Sequence, residues 1–502
     1  MDIEFATATE LIQAMRDRRV SSRELLEHLL ARVHQHNPEL NAIVALDVDR
    51  ARAAAQTADA ARARGDPLGP LHGLPMTVKD VWETEGLVTT SGAPELRDYV
   101  PERDALAVGR LKAAGAIIIG KSNTPLYAGD FQTFNDVYGV TNNPWDTTRT
   151  AGGSSGGAAA AVAAGLTPLE LGSDIGGSIR NPAHYNGVYG LKPSWGVVPG
   201  RGHIPGPPGT LVEADVNCSG PLARCIGDLR IALGAVAGPL PEDAAAWRLE
   251  LNPGPALDDV AGLRVASVCG EDGSFLPIAR DVRARLDAFT SRVADAGAAV
   301  DAVRLPVPLA EGLRSWQDLV GPIIGLGLPD DAFAAFADLE AIPGDDPMLN
   351  AGRALASRYR SWARADGLRQ RQRLAWAAVF ERYDVVLAPV MPTTAFPHDT
   401  ERPITDRVLD VDGVTVPHLL AMSWCGAIGA VLLPVVTLPT GQTPQRLPVG
   451  IQVVGPFLSD LRLLRIAELL DDAVGPGFTP PPNRTRVDGT DTVGDSRGHV
   501  DV

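Results

Sequence analysis

Between Thr150 and Ala183 the chain reads TAGGSSGGAAAAVAAGLTPLELGSDIGGSIRNPA, two glycine-serine clusters separated by an alanine-rich run and a short apolar stretch. Glycines this dense require close backbone approach, and the alanines that follow Gly157 at once predict a helix beginning there. The free N–H groups of GGSSGG then lie at a helix N-terminus, where negative charge is favoured. A phosphate is one ligand for such a nest, but GGSSGG lacks the Lys-[ST] ending of GxxxxGK[ST]. The rest of the fold must accommodate this segment. Short apolar runs such as LPMTV and AIIIG alternate with helical stretches such as Asp104 to Ala114, and the rhythm resumes after Gly262 with LRVASV, a helix over Ile278 to Ala294, and VDAVRLPV. That alternation predicts an α/β fold.

Other elements follow from local chemistry. Ser21 and Glu24 have capping-box spacing ahead of Leu25, Leu26, Leu29, Leu30 and Val33, predicting an amphipathic helix; a second covers Val48 to Arg64 and stops at Gly65-Asp66-Pro67. The region from Leu309 to Tyr383 is mostly helical, DVVLAPV reads as a strand, VVTLPT and VGIQVVG as two more, and Asp460 to Leu470 as a helix. The Pro-rich stretch Val197 to Gly209 reads as a surface loop, and 477–502 as a flexible tail.

Composition narrows the function classes. The net charge is −16, from 45 Lys+Arg against 61 Asp+Glu, which opposes binding to a phosphate backbone. Cys218, Cys225, Cys269 and Cys425 form no CxxC pair and read as buried free thiols of a reducing compartment. The N-terminus lacks a basic and an apolar segment of signal type, and the run Ala158 to Ala164 is far shorter than the ~20 residues of a membrane span. A cytoplasmic chain without nucleic-acid or membrane partner is expected; a homodimer is left open.

The cluster DIGGSIR, Asp174 to Arg180, places Ser178 behind two glycines. Acyl transfer needs a nucleophilic oxygen beside backbone donors that receive the oxyanion, and such a turn supplies them, although the same residues also suit a plain turn. Ser178 then needs a base. Of nine histidines only His184 is near it in sequence, and no GxSxG elbow surrounds any serine. A lysine serves if burial offsets roughly 4 kcal/mol to keep it neutral. Lys79 follows the apolar strand LPMTV, at a strand end where α/β sheets hold their sites; the alternative is a surface lysine paired with Asp80. No HExxH is present, so neither a metal nor a cofactor is expected.

GLPMTVKD, GGSSGGAAAAVAAG, DIGGSIRNPA and GLKP resemble, in order and spacing, the amidase signature family of serine hydrolases. Lys79 and Ser154 are 75 residues apart, and Ser154 and Ser178 are 24 apart. The clearest resemblance covers 73–193 within a domain expected over 1–476. It implies a single large domain with a mixed central β-sheet covered by helices on both faces. It also implies a Ser-Ser-Lys triad in which Ser178 attacks, Ser154, which follows a cis peptide bond from Gly153, relays its proton, and Lys79 is the base. Backbone N–H groups of Ile175, Gly176, Gly177 and Ser178 correspond to an oxyanion hole, and Ser155 to a hydrogen-bonding support within the triad. Asp174 and Arg180 are expected to pair across the turn.

The same resemblance assigns Ala128, Gly129 and Asp130 to the acyl pocket, together with Ser154. Phe131, Phe134 and Tyr138 are candidates for an apolar wall, and Trp316 and Trp424 for further contacts. The expected activity is cleavage of an amide C–N bond of a small-molecule substrate with an apolar or aryl group. Carbamate or ester cleavage uses the same chemistry. The glutaminase subunit of a tRNA-dependent amidotransferase is an alternative, disfavoured by YAGDFQTFND around Ala128 and by the lack of an arginine pair before DVVLAPV. A non-catalytic anion binder is the alternative of another class.

Overall fold

A computed structural model describes residues 3–204, 208–269 and 275–482. Its centre is an eleven-stranded sheet. In chain order the strands are β1 Ile43–Leu46, β2 Pro75–Lys79, β3 Ile117–Ser122, β4 Leu169–Asp174, β5 Tyr189–Lys192, β6 Cys218–Ala223, β7 Arg264–Ser267, β8 Ala299–Ala302, β9 Val385–Pro389, β10 Val435–Gln442 and β11 Pro448–Val454. Across the sheet they run β1-β3-β2-β4-β6-β5-β10-β11-β9-β7-β8. Strand β2 is parallel to both neighbours, β3 and β4, and β7 is parallel to β8 and β9, whereas the strands between β4 and β9 pair antiparallel. The sheet is mixed, as expected.

Burial on both faces explains why several strands read as continuous apolar runs rather than alternating ones. One face packs Val78, Leu171, Leu191, Leu438 and Val453 against the helices Ile226–Val236, Arg280–Asp295 and Asp460–Val474. On the other, Leu222 meets the alanines of helix Gly156–Ala163 and Ala183 of helix Arg180–Asn186. Farther along this face Val386, Ala388 and Val454 cover Trp376 and Trp424, from helices Tyr359–Arg382 and Ser423–Ala430. Trp424 is thus a core residue under the sheet rather than a pocket contact.

Helix boundaries follow their capping chemistry. The Ser21 hydroxyl accepts from Glu24 N–H at 3.1 Å and Glu24 accepts from Ser21 N–H at 2.8 Å, opening helix Ser22–Leu40. Val48–Arg64 ends where Gly65 turns left-handed at φ 77°. The 309–383 region comprises helices Leu309–Gly325, Asp330–Asp338, Pro347–Leu355 and Tyr359–Arg382. Three of the four cysteines are buried and Cys225 is half-buried; none is bonded to another. The expected loop Val197 to Gly209 falls partly on 205–207, and most of the expected tail, 483–502, also lies outside the described residues. Phe478 does not fit a flexible tail: its ring stands 6.0 Å from that of Phe5 and packs against the core.

Two features carry the segment that holds the glycine-serine clusters. Helix Gly156–Ala163 has no polar face, being buried throughout, and it approaches its neighbours through glycine. A Cβ on Gly157 would strike the backbone of Asn123 and stand 2.7 Å from Ala42 O. Asp174, at the end of β4, forms a fully buried ion pair with Arg180: Nη2 to Oδ1 is 2.8 Å and Nε to Oδ2 is 3.0 Å. Arg180 Nη1 also donates to Cys425 O and Gln452 Oε1, both at 2.9 Å. Burial favours the neutral acid of Asp174, but Arg180 outweighs it, aided by Lys192 and Ile179 N–H, and holds the carboxyl down to about 2.

Gly157→Ala is expected to destabilise the fold by about 1–3 kcal/mol through overpacking. Gly234→Ala, in helix Ile226–Val236 with nothing within 4 Å of its Cβ, should raise stability by roughly 0.5–1 kcal/mol. Urea midpoints of the two variants measure both effects. Asp174→Ala should cost about 3–5 kcal/mol because it strands a buried guanidinium. The Asp174 carboxyl is held below its ordinary value in the folded state, so its stabilising contribution is complete above about pH 4. It should be lost as pH falls from there toward about 2, as an acid titration of wild type against the variant would detect.

Candidate active site

The candidate residues converge at the C-terminal ends of parallel strands β2 and β4. Lys79 is the last residue of β2, inside the strand rather than after it, and is fully buried. Its Nζ lies 2.7 Å from Ser154 Oγ and 3.1 Å from Ser173 Oγ. The alternative pairing with Asp80 does not form: Asp80 faces Lys121, 4.0 Å away, and accepts from Thr90 N–H and hydroxyl. Burial pushes the Lys79 amine down to about 7, against the opposing pull of Asp174 and Glu170. An amine poised there is half neutral near physiological pH, which is the state that accepts a proton.

Ser154 precedes helix Gly156–Ala163, and the Gly153–Ser154 peptide is cis. Asn181 Nδ2 reaches Gly153 O at 3.3 Å, and Thr133 Oγ1 donates to Gly152 O at 2.8 Å. Ser178 sits on the turn between β4 and helix Arg180–Asn186, 5% exposed. Ser155 N–H donates to Ser178 O at 3.0 Å, tying the two clusters together through the backbone. The Ser155 hydroxyl instead meets the backbone of Ser173, 3.3 Å from its O and 3.4 Å from its N, so it supports the strand end beside Lys79 rather than bonding to Lys79, Ser154 or Ser178.

The turn itself is shaped by Asp174. Its Oδ1 accepts from Gly177 N–H at 2.8 Å and its Oδ2 from Ile179 N–H at 3.0 Å. Gly177 has φ 122°, a conformation open to glycine, and a Cβ there would stand 2.9 Å from that of Cys425. Of the four N–H groups expected to form an oxyanion hole, that of Gly177 is therefore already engaged. Those of Ile175, Gly176 and Ser178 have no hydrogen-bond acceptor among the described residues.

His184 stands apart from this group. It is fully buried, with Nδ1 on the backbone N–H of Gly450 at 2.7 Å and Nε2 near Thr393 O at 3.1 Å, and burial pushes it down to about 4. It is a neutral structural histidine. Asp130, assigned to the acyl pocket, has its carboxylate committed to Arg407 and 3.6 Å from His418 Nε2. Its backbone, with Phe131, instead packs on Gly153, where a Cβ would stand 2.7 Å from Phe131 C. Ala128 and Gly129 form the preceding tight turn, in which Ala128 has φ 55°. Phe131 clusters with Val216, Trp316 and Met422 beside Ile175, an apolar wall next to the turn. Phe134 lies under Arg407, 5.2 Å from its guanidinium carbon, and is not part of that cluster; nor is Tyr138.

Several functional neighbours escaped the sequence reading. Ser173 contacts the lysine directly. Glu170 lies one strand over, opposite Thr77, and accepts from the Thr77 hydroxyl and from Ser122 Oγ at 2.7 Å; burial raises it to about 8. Its signal was a glutamate inside the apolar strand LELGSD, where a charge needs a reason. Among the described residues no group of three or more His, Cys, Asp or Glu side chains is placed to hold a metal ion, and no helix is long and apolar enough to cross a membrane.

The chain matches the family model described as Amidase over residues 24–314 and 345–464. It is 33% identical to a glutamyl-tRNA(Gln) amidotransferase subunit from Rhodopirellula baltica, covering 95% of this chain and 98% of that one. It is 35% identical to the protein of the same name from Roseiflexus sp. strain RS-1, over 92% and 95% of the two chains. A solved amidase structure superimposes with a TM-score of 0.76 at 29% identity, covering 94% of this chain and 100% of its own. With its mixed helix-flanked sheet and these matches across nearly its whole length, the chain belongs to the amidase family of amide-cleaving enzymes.

Proposed function

We propose that this chain hydrolyses a carboxylic amide through an acyl-enzyme on Ser178, with Ser154 as proton relay and Lys79 as general base. The observation that carries the reading is the fully buried amine of Lys79, 2.7 Å from Ser154 Oγ and lowered by burial to about 7. In the neutral state this amine accepts the Ser154 proton while Ser154 takes that of Ser178. The Ser178 oxygen then bonds to the carbonyl carbon, and the carbonyl electron pair moves to oxygen beside the free N–H groups of the turn. Collapse breaks the C–N bond, and the proton returns through Ser154 to the leaving nitrogen. Water, deprotonated along the same path, displaces Ser178 and releases the carboxylic acid.

The wall of Phe131, Val216, Trp316 and Met422 supports an apolar or aryl acyl group. Carbamates and esters present the same carbonyl to the same oxygen. A second reading, release of ammonia from glutamine as part of an amidotransferase, is favoured by the names of the similar proteins. On that reading glutamine turnover exceeds that of anilides and rises when partner proteins and tRNA are added. Turnover across glutamine, aliphatic amides, anilides, carbamates and esters separates the readings; the first expects apolar amides or anilides to be preferred. Absence of turnover, together with no labelling of Ser178 by a serine-directed phosphonate, would instead mark a binding protein.

Ser178→Ala should lower kcat by a factor on the order of 10⁶ and Lys79→Ala by about 10⁴, while both remain folded by circular dichroism. His184→Ala should retain measurable turnover, since both ring nitrogens serve the backbone. The kcat/KM profile should fall about tenfold per pH unit below about 7, as the Lys79 amine protonates, and level off above it. A profile flat down to pH 5 would remove Lys79 as the base.

A further inference from the structure

The turn that carries Ser178 is held from one side by Asp174, which takes the N–H groups of Gly177 and Ile179. From another it is held by a residue distant in sequence. Trp316, on helix Leu309–Gly325, donates its indole Nε1–H to Ile175 O at 2.7 Å, and the side chain is largely buried. The Ile175–Gly176 peptide is trans, so its C=O and N–H point in opposite directions. Fixing the carbonyl toward the indole therefore fixes the Gly176 N–H away from it. Among the described residues that N–H has no acceptor, and no other hydrogen bond anchors this peptide plane.

The surrounding packing leaves the peptide little freedom while the indole is in place. A Cβ on Gly176 would stand 2.5 Å from Met422 Cε and 2.8 Å from the Trp316 ring. The ring lies against Gly426 of helix Ser423–Ala430, whose Cys425 O accepts from Arg180 Nη1. Helix Leu309–Gly325 meets that same helix where Gly312 approaches Ala427, so the tryptophan is carried on a closely packed pair of helices. Trp316 also belongs to the apolar cluster with Phe131, Val216 and Met422, so one side chain touches both the candidate acyl wall and the turn.

We infer that Trp316 is a positioning residue for acyl transfer: its indole N–H orients the Ile175–Gly176 peptide so that the Gly176 N–H is presented to the developing oxyanion. The inference rests on the proposed seryl mechanism and adds to it a residue outside the signature segment. Because the donor acts on the charge that develops during attack, its removal should change kcat and leave ground-state binding alone. A purely structural tryptophan would alter stability, or the fit of the acyl group and hence KM.

The test compares wild type with Trp316→Phe, which removes the donor. A second variant carries 3-benzothienylalanine at 316, in which sulfur replaces the N–H within the same ring shape; it keeps the question answerable if the phenylalanine variant folds poorly. The readouts are kcat and KM on the best amide of the panel, and affinity for a trifluoromethyl ketone with the same acyl group against the corresponding unreactive alcohol. The expected result is a loss of about tenfold in kcat and in ketone affinity in both variants, with KM and alcohol affinity changed less than about twofold in the benzothienylalanine variant, which keeps the ring that lines the acyl wall. Unchanged kcat and ketone affinity in a folded variant, or a loss confined to KM, would overturn the inference while wild-type turnover left the seryl mechanism standing. Wild type that neither turns over any amide nor forms a ketone adduct at Ser178 would sink both together.

Discussion

The removal of one amine from water is the constraint on which the site depends. Lys79 ends a strand buried on both sides, and its Nζ meets hydroxyls, those of Ser154 and Ser173, at hydrogen-bonding distance. Among the described residues no carboxylate approaches it within ion-pair distance, so the charged form has no direct partner to offset its lost hydration. The fold supplies this environment through parallel neighbours: β2 lies between β3 and β4, and the fully buried helix Gly156–Ala163 packs against β2 and β4. A surface lysine in the same sequence motif would be an ammonium at neutral pH and could not accept a proton.

The surrounding polar groups separate into two kinds. Asp174 and Arg180 form a buried ion pair that satisfies itself and directs its remaining hydrogen bonds to the turn and to Cys425 and Gln452. It shapes the backbone that bears Ser178 and has no need to titrate near neutrality. Glu170 is different: it is buried opposite Thr77, two residues before Lys79, and its hydrogen bonds come from hydroxyls. Burial raises it to about 8 against those hydroxyl donors and the nearby Lys121 and Lys79, and both it and Asp174 oppose the burial that lowers the amine. The amine is therefore lowered by its removal from water in spite of these two carboxyl groups.

Much of this was legible in the sequence because local chemistry and chain order carried it. The capping box at Ser21, the breaker after Arg64, the alternating apolar runs and the glycine-serine clusters each predicted the element found. Lys79, Ser154 and Ser178 stood out through motif order, and the Asp174–Arg180 pair through proximity on one turn. What remained hidden came from distant segments or from the direction of side chains. The Trp316 contact joins residues 141 apart, and the commitment of Asp130 to Arg407 spans 277; neither has a local signal. Engagement of the Gly177 N–H by Asp174 depends on turn geometry that DIGGSIR does not spell out. Trp424 read as a pocket candidate and proved to be core because helical position alone does not say which neighbour a helix will cover.

The account turns on the protonation state of a single nitrogen. Selective ¹⁵Nζ labelling of lysine, with Lys79→Ala to assign the resonance, measures that state directly by NMR as pH is varied. A Lys79 signal that moves from ammonium to neutral amine with a midpoint near 7 is the predicted result. A signal that remains ammonium to above pH 9 would contradict it, since a lysine charged throughout that range cannot draw the proton from Ser154.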